Sequence, residues 1–343
     1  MPKQLGYMMP AEWERHTAVW LSWPYDPDTF TNGVAKGEKI FAEIISAIHK
    51  SEKVELLVRD IKMKNRASKY LINKKVDLSR INFHIADYAD VWFRDFGPIF
   101  VTNKKKKRLA MTNWIYNVYG NKWAELLKDD KIPARLNKFL KLPCFVPGIV
   151  MEGGSIDVNG RGTLMTSEQC LLNKNRNPRL SKKQIENYLS DYLGIKHFIW
   201  LKNGILADHT DGHVDDIARF INPTTVMYAY EDDKKDGNYG ILKENLRRLE
   251  NATDQDGHKL NLIKLPMPKM NDSQGNRLPV SYANFYIGNS VILVPVFKHK
   301  NDKPALKIIQ EAFPKRKVIG IDCRDLICGG GTIHCISQQQ PAV

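Results

Sequence analysis

Apolar side chains recur at helical spacing in five segments of the chain. Residues 181–194 show the clearest pattern, because Ser181 and Gln184 form a capping box at the start and Gly194 favours an end. Residues 37–50 present one apolar face, made of Ile40, Phe41, Ile44, Ile45 and Ile48. The other predicted helices cover residues 239–252, residues 302–313 and approximately residues 121–140, the last interrupted by Pro133.

Short runs rich in β-branched and aromatic residues lie between these helices. They include TAVWLSW, KVELLV, INFHIA, KHFIWL, TTVMYAY, SVILVPVF and KVIGIDC. A strand-rich unit with one helix recurs about five times without any direct sequence repeat. Strands that alternate with helices predict an α/β protein. Because no long Pro/Gly/Ser linker divides the chain, we interpret residues 1–343 as one domain.

Composition places the chain among ordinary soluble globular proteins, with 43% hydrophobic and 26% charged residues. No apolar run approaches the roughly 20 residues that span a bilayer. The N-terminus lacks the basic and then apolar arrangement of a signal peptide. Five cysteines, an odd number in a long chain, do not indicate a disulfide framework. We therefore expect a reduced, cytoplasmic protein without a membrane partner.

The formal net charge of +14 raises the question of a nucleic-acid partner. Its densest segment, NKKKKR (103–108), lies between the strand-like runs PIFVT and RLAMTNW, so it fits the tip of a solvated hairpin. No stacking-aromatic motif accompanies it. We expect no nucleic-acid partner, although a basic nucleic-acid-binding protein remains the alternative from another functional class.

Acidic residues gather in three glycine-containing segments, where loop ends often form sites. DHTDGHVDD (208–216) contains four aspartates and two histidines but no lysine or arginine. DVWFRDFGP (90–98) contains Asp95, and MEGGSIDVNG (151–160) contains Glu152. The simplest interpretation is that these acids are solvated or pair with surface lysines.

A metal site is a second interpretation, since His209 and His213 are four residues apart and would share one face of a helix. Against it, Gly212 lies between them and the segment lacks the glutamate of an H-E-x-x-H motif. We therefore predict no metal and no other cofactor.

The third interpretation is a guanidinium site. Two carboxylates that face each other in a buried slot repel unless a cation lies between them. A planar guanidinium fits such a slot, because each carboxylate accepts two parallel N–H bonds from it. Asp95 and Asp215 are the predicted pair, and Trp92 is placed to cover the flat cation.

Cys335, which follows the glycines 329–331, gives this interpretation a nucleophile. Its thiolate would attack the central guanidinium carbon and form a covalent amidino-thioether. His213 would protonate the departing ammonia and then deprotonate water, while Glu152 orients the imidazole. Taken alone, a free cysteine is more often inert packing, and we assign Cys144, Cys170, Cys323 and Cys328 to that class.

Several motifs, in order along the chain, resemble one family. They are MPAEWERHTAVWLSWP, WFRDFGP, EGGSIDVNGRGTLMT, CLLNKNRNP, TDGHVDDIARF and GGGTIHCISQQQP. Together they are similar to the agmatine deiminases, a group also called bacterial peptidylarginine deiminases. The resemblance extends from about residue 8 to residue 341, nearly the whole chain.

This resemblance implies the pentein fold, in which five ββαβ-type modules surround a pseudo-fivefold axis with the active site at the centre. It implies that agmatine and water yield N-carbamoylputrescine and ammonia, as a step toward putrescine and polyamines, without a metal. Cys335 matches the family nucleophile, His213 the general acid/base and Glu152 its acidic partner. Asp95 and Asp215 match the guanidinium-binding aspartates. Enzymes of this type are often homodimers.

One position departs from the family pattern, because Thr332 stands where Asn is usual. The substrate also stays open at this point. Free arginine or peptidylarginine, giving citrulline, is the nearest alternative, and an amidinotransferase or a catalytically silent homologue is a more distant one. Free arginine would need a cationic partner for its α-carboxylate, which the sequence does not identify.

Overall fold

The computed structural model describes residues 1–343 and contains five small β-sheets. The strands are β1 (His16–Ser22), β2 (Lys53–Val58), β3 (Ile81–Ile85), β4 (Ile99–Asn103), β5 (Arg108–Thr112), β6 (Cys144–Phe145), β7 (Ile156–Val158), β8 (Thr163–Ser167), β9 (His197–Leu201), β10 (Ala218–Asn222), β11 (Thr225–Tyr230), β12 (Asn261–Pro266), β13 (Tyr286–Ile287), β14 (Val291–Val296), β15 (Lys317–Asp322) and β16 (Gln338–Pro341). The helices are α1 (Val34–Ile48), α2 (Ile61–Asn73), α3 (Phe93–Phe96), α4 (Val118–Asn121), α5 (Ile132–Leu140), α6 (Glu168–Leu171), α7 (Lys182–Leu193), α8 (Asn238–Asn251) and α9 (Asp302–Ala312).

All five sheets share one pattern, an antiparallel strand pair followed by a parallel third strand. Four of them are β4-β5-β6, β7-β8-β9, β10-β11-β12 and β13-β14-β15, and the fifth is β16-β1-β2 extended by β3. A helix connects the second strand to the third in every sheet, as a parallel crossover requires. Because β16 pairs with β1, the C-terminal strand completes the sheet that the N-terminal strand begins. The α/β prediction is therefore confirmed, with mixed sheets.

Four of the five predicted helices are confirmed within a few residues, namely α1, α7, α8 and α9. The segment predicted as 121–140 instead contains a 3-10 helix, Ala124–Lys131, followed by α5. Pro133 lies in the first turn of α5, where its missing N–H has no partner to lose. The prediction omitted α2, whose buried face consists of only Ala67 and Leu71.

The lysine-rich segment lies at a hairpin tip, as predicted. Strands β4 and β5 are antiparallel, and their last aligned pair is Asn103 with Arg108. Lys104–Lys107 form the connecting turn and are exposed. The densest positive charge is thus solvated on one loop.

The largest apolar core joins the first sheet to the last one. It packs α1 and α9 against residues of β1, β2 and β14, and it extends to Trp92 and Cys335. The nucleophile candidate therefore lies at the edge of a rigid core. None of the helices combines the length and the apolar character that crossing a bilayer requires.

Candidate active site

Each of the five sheets supplies one residue of the candidate site from the segment just before its first strand. Asp95 precedes β4, Glu152 precedes β7, Asp215 precedes β10, Asn284 precedes β13 and Cys335 precedes β16. The repeated topology thus brings side chains from distant parts of the chain into one place.

A glycine marks the point where three of these groups converge. A side chain at Gly154 would place its Cβ 2.6 Å from His213 Nδ1, 2.8 Å from Asp95 Oδ1 and 3.1 Å from Asp215 Oδ2. Real Cβ atoms do not approach nitrogen or oxygen so closely, so only glycine fits here. The structure therefore brings the predicted aspartate pair and the predicted acid/base into direct proximity.

Cys335 contacts an amide that the sequence reasoning did not identify. Asn284 Nδ2 lies 3.1 Å from Cys335 Sγ, and Asn284 Oδ1 accepts hydrogen bonds from Thr332 Oγ1 at 2.6 Å and from His334 N at 3.1 Å. These two donors fix the amide so that its NH₂ group faces the sulfur. Thr332, the departure from the family pattern, thus orients the group that faces the nucleophile.

The two aspartates already hold protein donors on some of their oxygens. Asp95 accepts from Gly154 N and from Tyr119 Oη, each at 2.9 Å. Asp215 Oδ2 accepts from His334 Nδ1 at 2.7 Å, whereas the buried Oδ1 has no partner. Two parallel bonds from a guanidinium to each carboxylate, as the sequence suggested, would therefore compete with these donors. Asp215 Oδ1 is the acceptor that is available.

Glu152 is not hydrogen-bonded to His213. Its Oε1 instead accepts from Arg176 Nε at 2.7 Å, and Oε2 is buried without a partner. The nearest ionic contact of His213 is Asp95, with Nδ1 3.6 Å from Oδ1, and neither ring nitrogen is hydrogen-bonded. Glu152, Cys170 and His213 nevertheless place potential ligand atoms within 4.8 Å of one another. Sequence reasoning missed Arg176, although it lies in the quoted motif CLLNKNRNP.

The electrostatics of the site reflect burial among anions. Burial, followed by the nearby Asp215, raises the pKa of Asp95 to about 6. Burial lowers the pKa of His213, but Asp95 and other anions outweigh it and hold that pKa well above its ordinary value. Burial and then Asp215 raise the pKa of the Cys335 thiol well above its ordinary value. Without a bound cation, the site therefore favours a neutral thiol and a charged imidazole.

A cavity of about 210 Å³ opens above this centre. Trp92, Asp95 and Cys335 line it, while His213, Glu152 and Asp215 lie behind the lining. Five carboxylates face the cavity, and no lysine or arginine does; the five are Asp26, Asp28, Asp90, Asp95 and Glu125. The chain thus has a strongly acidic cavity despite its positive net charge.

The two histidines proposed as metal ligands do not share a helical face. His209 lies in an irregular segment, lines the cavity and packs near Trp123, with ring centroids 6.0 Å apart. His213 lies on the other side of a turn and faces Asp95. The shared helical face on which the rejected metal interpretation depended is therefore absent, because Asp211 and Gly212 both adopt positive φ and interrupt any helix.

Comparison with known proteins agrees with this geometry. Residues 8–341 match the family model described as Porphyromonas-type peptidyl-arginine deiminase. The chain belongs to this family. A Legionella pneumophila relative, provisionally named agmatine deiminase, is 40% identical over 342 residues, which cover 99% of this chain and 96% of that protein.

Solved structures of the deiminase family share the fold. The agmatine deiminase of Enterococcus faecalis superposes with a TM-score of 0.90 at 32% identity and covers 99% of this chain and 97% of its own. An amidinotransferase of saxitoxin biosynthesis from Microseira wollei superposes with a TM-score of 0.54 at 13% identity and covers 97% and 96%, which shows the fold alone. The fold is therefore pentein-like, and the family relationship implies a hydrolase of carbon–nitrogen bonds.

Proposed function

We propose that this protein is an agmatine deiminase that hydrolyses the guanidinium group of agmatine to N-carbamoylputrescine and ammonia. The observation that carries the proposal is the lining of the cavity beside Cys335, which contains five carboxylates and no lysine or arginine. Agmatine has a cation at both ends, a guanidinium and an ammonium, so it complements such a cavity throughout. Two named relatives, from Legionella pneumophila and Enterococcus faecalis, support the same substrate.

The same lining disfavours free arginine. The α-carboxylate of arginine would enter a cavity without a basic side chain and would face Asp26, Asp28, Asp90 or Glu125. Like charges in a partly desolvated cleft repel, and no cation is present to compensate. An ammonium group in the same place gains from the same carboxylates.

At the reacting end, the guanidinium lies between Asp95 and Asp215 with Trp92 against its plane. The Asp215 carboxylate accepts N–H bonds from it, since Oδ2 lies 3.9 Å from the Cys335 sulfur and Oδ1 has no protein donor. The bound cation supplies the positive charge that the anionic site lacks. Its presence favours the Cys335 thiolate over the thiol. Asn284 Nδ2, 3.1 Å from the sulfur, donates to that thiolate.

The reaction then proceeds in two halves. The thiolate forms a bond to the guanidinium carbon, the bond to the terminal nitrogen breaks, and the His213 imidazolium gives its proton to the departing ammonia. In the second half, His213 takes a proton from water, and the resulting hydroxide bonds to the carbon of the amidino-thioether. The carbon–sulfur bond breaks, the hydroxyl proton passes to the departing sulfur, and the carbamoyl product leaves with Cys335 restored as the thiol and His213 as the imidazolium.

The test compares ammonia release from agmatine, free arginine and a blocked arginyl peptide. We expect kcat/KM for agmatine to exceed that for the other two by at least about 100-fold. The cavity carboxylates attract the ammonium group of agmatine and repel the α-carboxylate of arginine, and such a difference is worth several kcal/mol. Greater turnover of arginine or of the peptide would overturn the substrate assignment. Ammonia release from none of the three, combined with salt-sensitive RNA or DNA binding, would favour the nucleic-acid-binding alternative.

Several finer expectations accompany this proposal. The five sheets, each with one site residue before its first strand, fit a pseudo-fivefold arrangement around the reaction centre. All five cysteines are unpaired, which fits a reducing cytoplasm. We also propose that the protein is a homodimer in solution that works without a metal or other cofactor, and sedimentation and activity after EDTA treatment test these points.

A further inference from the structure

His334, the residue before the proposed nucleophile, bridges two buried acids. Its Nδ1 lies 2.7 Å from Asp215 Oδ2 and its Nε2 lies 2.8 Å from Glu12 Oε2. A carboxylate only accepts hydrogen bonds, so the ring satisfies both contacts only when both of its nitrogens carry protons. An imidazolium between two carboxylates is the arrangement that this geometry requires.

The acid on the far side of the ring is itself firmly held. Glu12 Oε2 also accepts from Arg219 Nη2 at 2.6 Å, and Glu12 Oε1 accepts from the backbone N–H of Ile287 at 2.8 Å. Arg219 in turn donates to Asp157 at 2.5 Å. These side chains are all nine-tenths or more buried, so His334 rests against a paired and rigid ionic layer.

The contact with His334 fixes the Asp215 carboxylate through Oδ2, the oxygen that also lies 3.9 Å from the Cys335 sulfur. Oδ2 is occupied by the imidazole, and Oδ1 is buried with no hydrogen-bond partner. If the ring were absent, the carboxylate would be able to rotate and would no longer be held in one orientation beside the Cys335 sulfur.

We propose that His334 is a positioning residue, which holds the Asp215 carboxylate beside the Cys335 sulfur by tying Oδ2 to the Glu12–Arg219–Asp157 layer. It does not touch the substrate and acts only through Asp215. The inference deepens the proposed function, because it assumes that Asp215 binds the guanidinium.

Electrostatics give this arrangement a pH signature. Burial raises the pKa of Asp215, but His334, followed by His213 and Arg219, outweighs burial and holds it below its ordinary value. The other titratable groups around this site are Asp95, Asp216 and Cys335. Removing the His334 charge should raise the Asp215 pKa. As the pH falls, Asp215 should then become protonated earlier, so guanidinium binding should be lost at a higher pH than in the unaltered enzyme.

The experiment compares His334→Gln with the matched control His16→Gln. His16 is a second buried histidine, whose Nδ1 contacts Glu52 and Tyr286 and whose Nε2 contacts the Glu12 carbonyl, away from the reacting groups. We expect His334→Gln to lower kcat/KM about 10- to 100-fold and to move its acidic limb to higher pH. We expect His16→Gln to lower the melting temperature while both kinetic properties stay unchanged.

An unchanged pH profile and kcat/KM in His334→Gln would overturn the proposal, and so would an equal kinetic change in His16→Gln. ¹⁵N NMR of histidine-labelled Cys335→Ala protein gives a second readout. It requires neither catalytic turnover nor a folded His334→Gln variant. His213 and His16 are also buried near acceptors, so the His334 ring is assigned by the signals that remain in the added His213→Gln and His16→Gln variants. We expect that ring to carry protons on both nitrogens and its signals to move in the added Asp215→Asn variant. A singly protonated ring there would contradict the proposal even if agmatine proves not to be the substrate.

Discussion

The carboxylates that line the cavity and the carboxylates of the Glu12–Arg219–Asp157 layer differ in whether a basic side chain is paired with them. In the layer beneath, Glu12 is 2.6 Å from Arg219 and Asp157 is 2.5 Å from the same guanidinium. The cavity lining offers no lysine or arginine to its five carboxylates.

This difference distinguishes acids that stabilise the fold from acids that have no cationic partner until a ligand binds. The pKa of Glu12 is held well below its ordinary value because Arg219 and His334 outweigh burial, so its ionised form contributes to stability at neutral pH. Burial raises the pKa of Asp95 to about 6, so its ionised form costs folding free energy at neutral pH. Such a cost is tolerated where a cation will bind.

The largest expected effect comes from the nucleophile at the boundary between the two regions. We expect Cys335→Ala to lower kcat by at least about 10³-fold, because no other group supplies the covalent step. The melting temperature should stay nearly the same, and agmatine should still bind, as measured by calorimetry. Activity near that of the unaltered enzyme would exclude Cys335 as the nucleophile.

The next largest effect tests the comparison directly, with one neutralised acid from each region. We expect Asp95→Asn to lower kcat/KM by about 10²- to 10³-fold without lowering the melting temperature, since burial makes the ionised form of Asp95 costly to the fold. We expect Glu12→Gln to lower stability by about 3–5 kcal/mol, because buried Arg219 loses one of its two carboxylate partners, while kcat/KM stays within about tenfold. Urea unfolding and steady-state kinetics measure both, and the reverse pattern would contradict the assignment of roles.

The third prediction concerns the thiol, whose pKa burial and Asp215 raise well above the ordinary value. Only the thiolate reacts with iodoacetamide, so the alkylation rate at Cys335 should rise about tenfold per pH unit through neutral pH without a plateau. In Asp215→Asn the thiol pKa should be lower, so the alkylation rate should reach its plateau at a lower pH. In Asp87→Asn, whose acid is exposed and paired with Lys128, the profile should not move. Mass spectrometry of the labelled peptide gives these rates.

The smallest effect is expected at the exposed rim of the cavity. Glu125→Gln should raise KM for agmatine about three- to tenfold with little change in kcat, since a partly screened charge is worth about 1 kcal/mol. Asp87→Asn removes the same charge outside the cavity and should leave KM unchanged. Equal values for both variants would show that the rim does not bind the ammonium end.

The amino-acid sequence by itself determined four of the longer helices and singled out the candidate reacting groups. Helical spacing gave α1, α7, α8 and α9, because burying one helical face constrains residues within a short segment. The motifs around Asp95, Glu152, His213, Asp215 and Cys335 are local as well, so each was visible as a run of unusual composition. The recurring unit was also visible, since four of the five sheets are built from consecutive segments.

The tertiary structure alone decided the partners of those groups. Asn284 reaches Cys335 across 51 positions, and His334 reaches Glu12 across 322 positions. Arg176, rather than His213, holds Glu152. The absence of lysine and arginine from the cavity lining depends on how the loops of several sheets meet. Such contacts follow from the packing of distant segments, and no local periodicity encodes them. The one hint was positional, since Asn284 lies before the first strand of its sheet as the other site residues do.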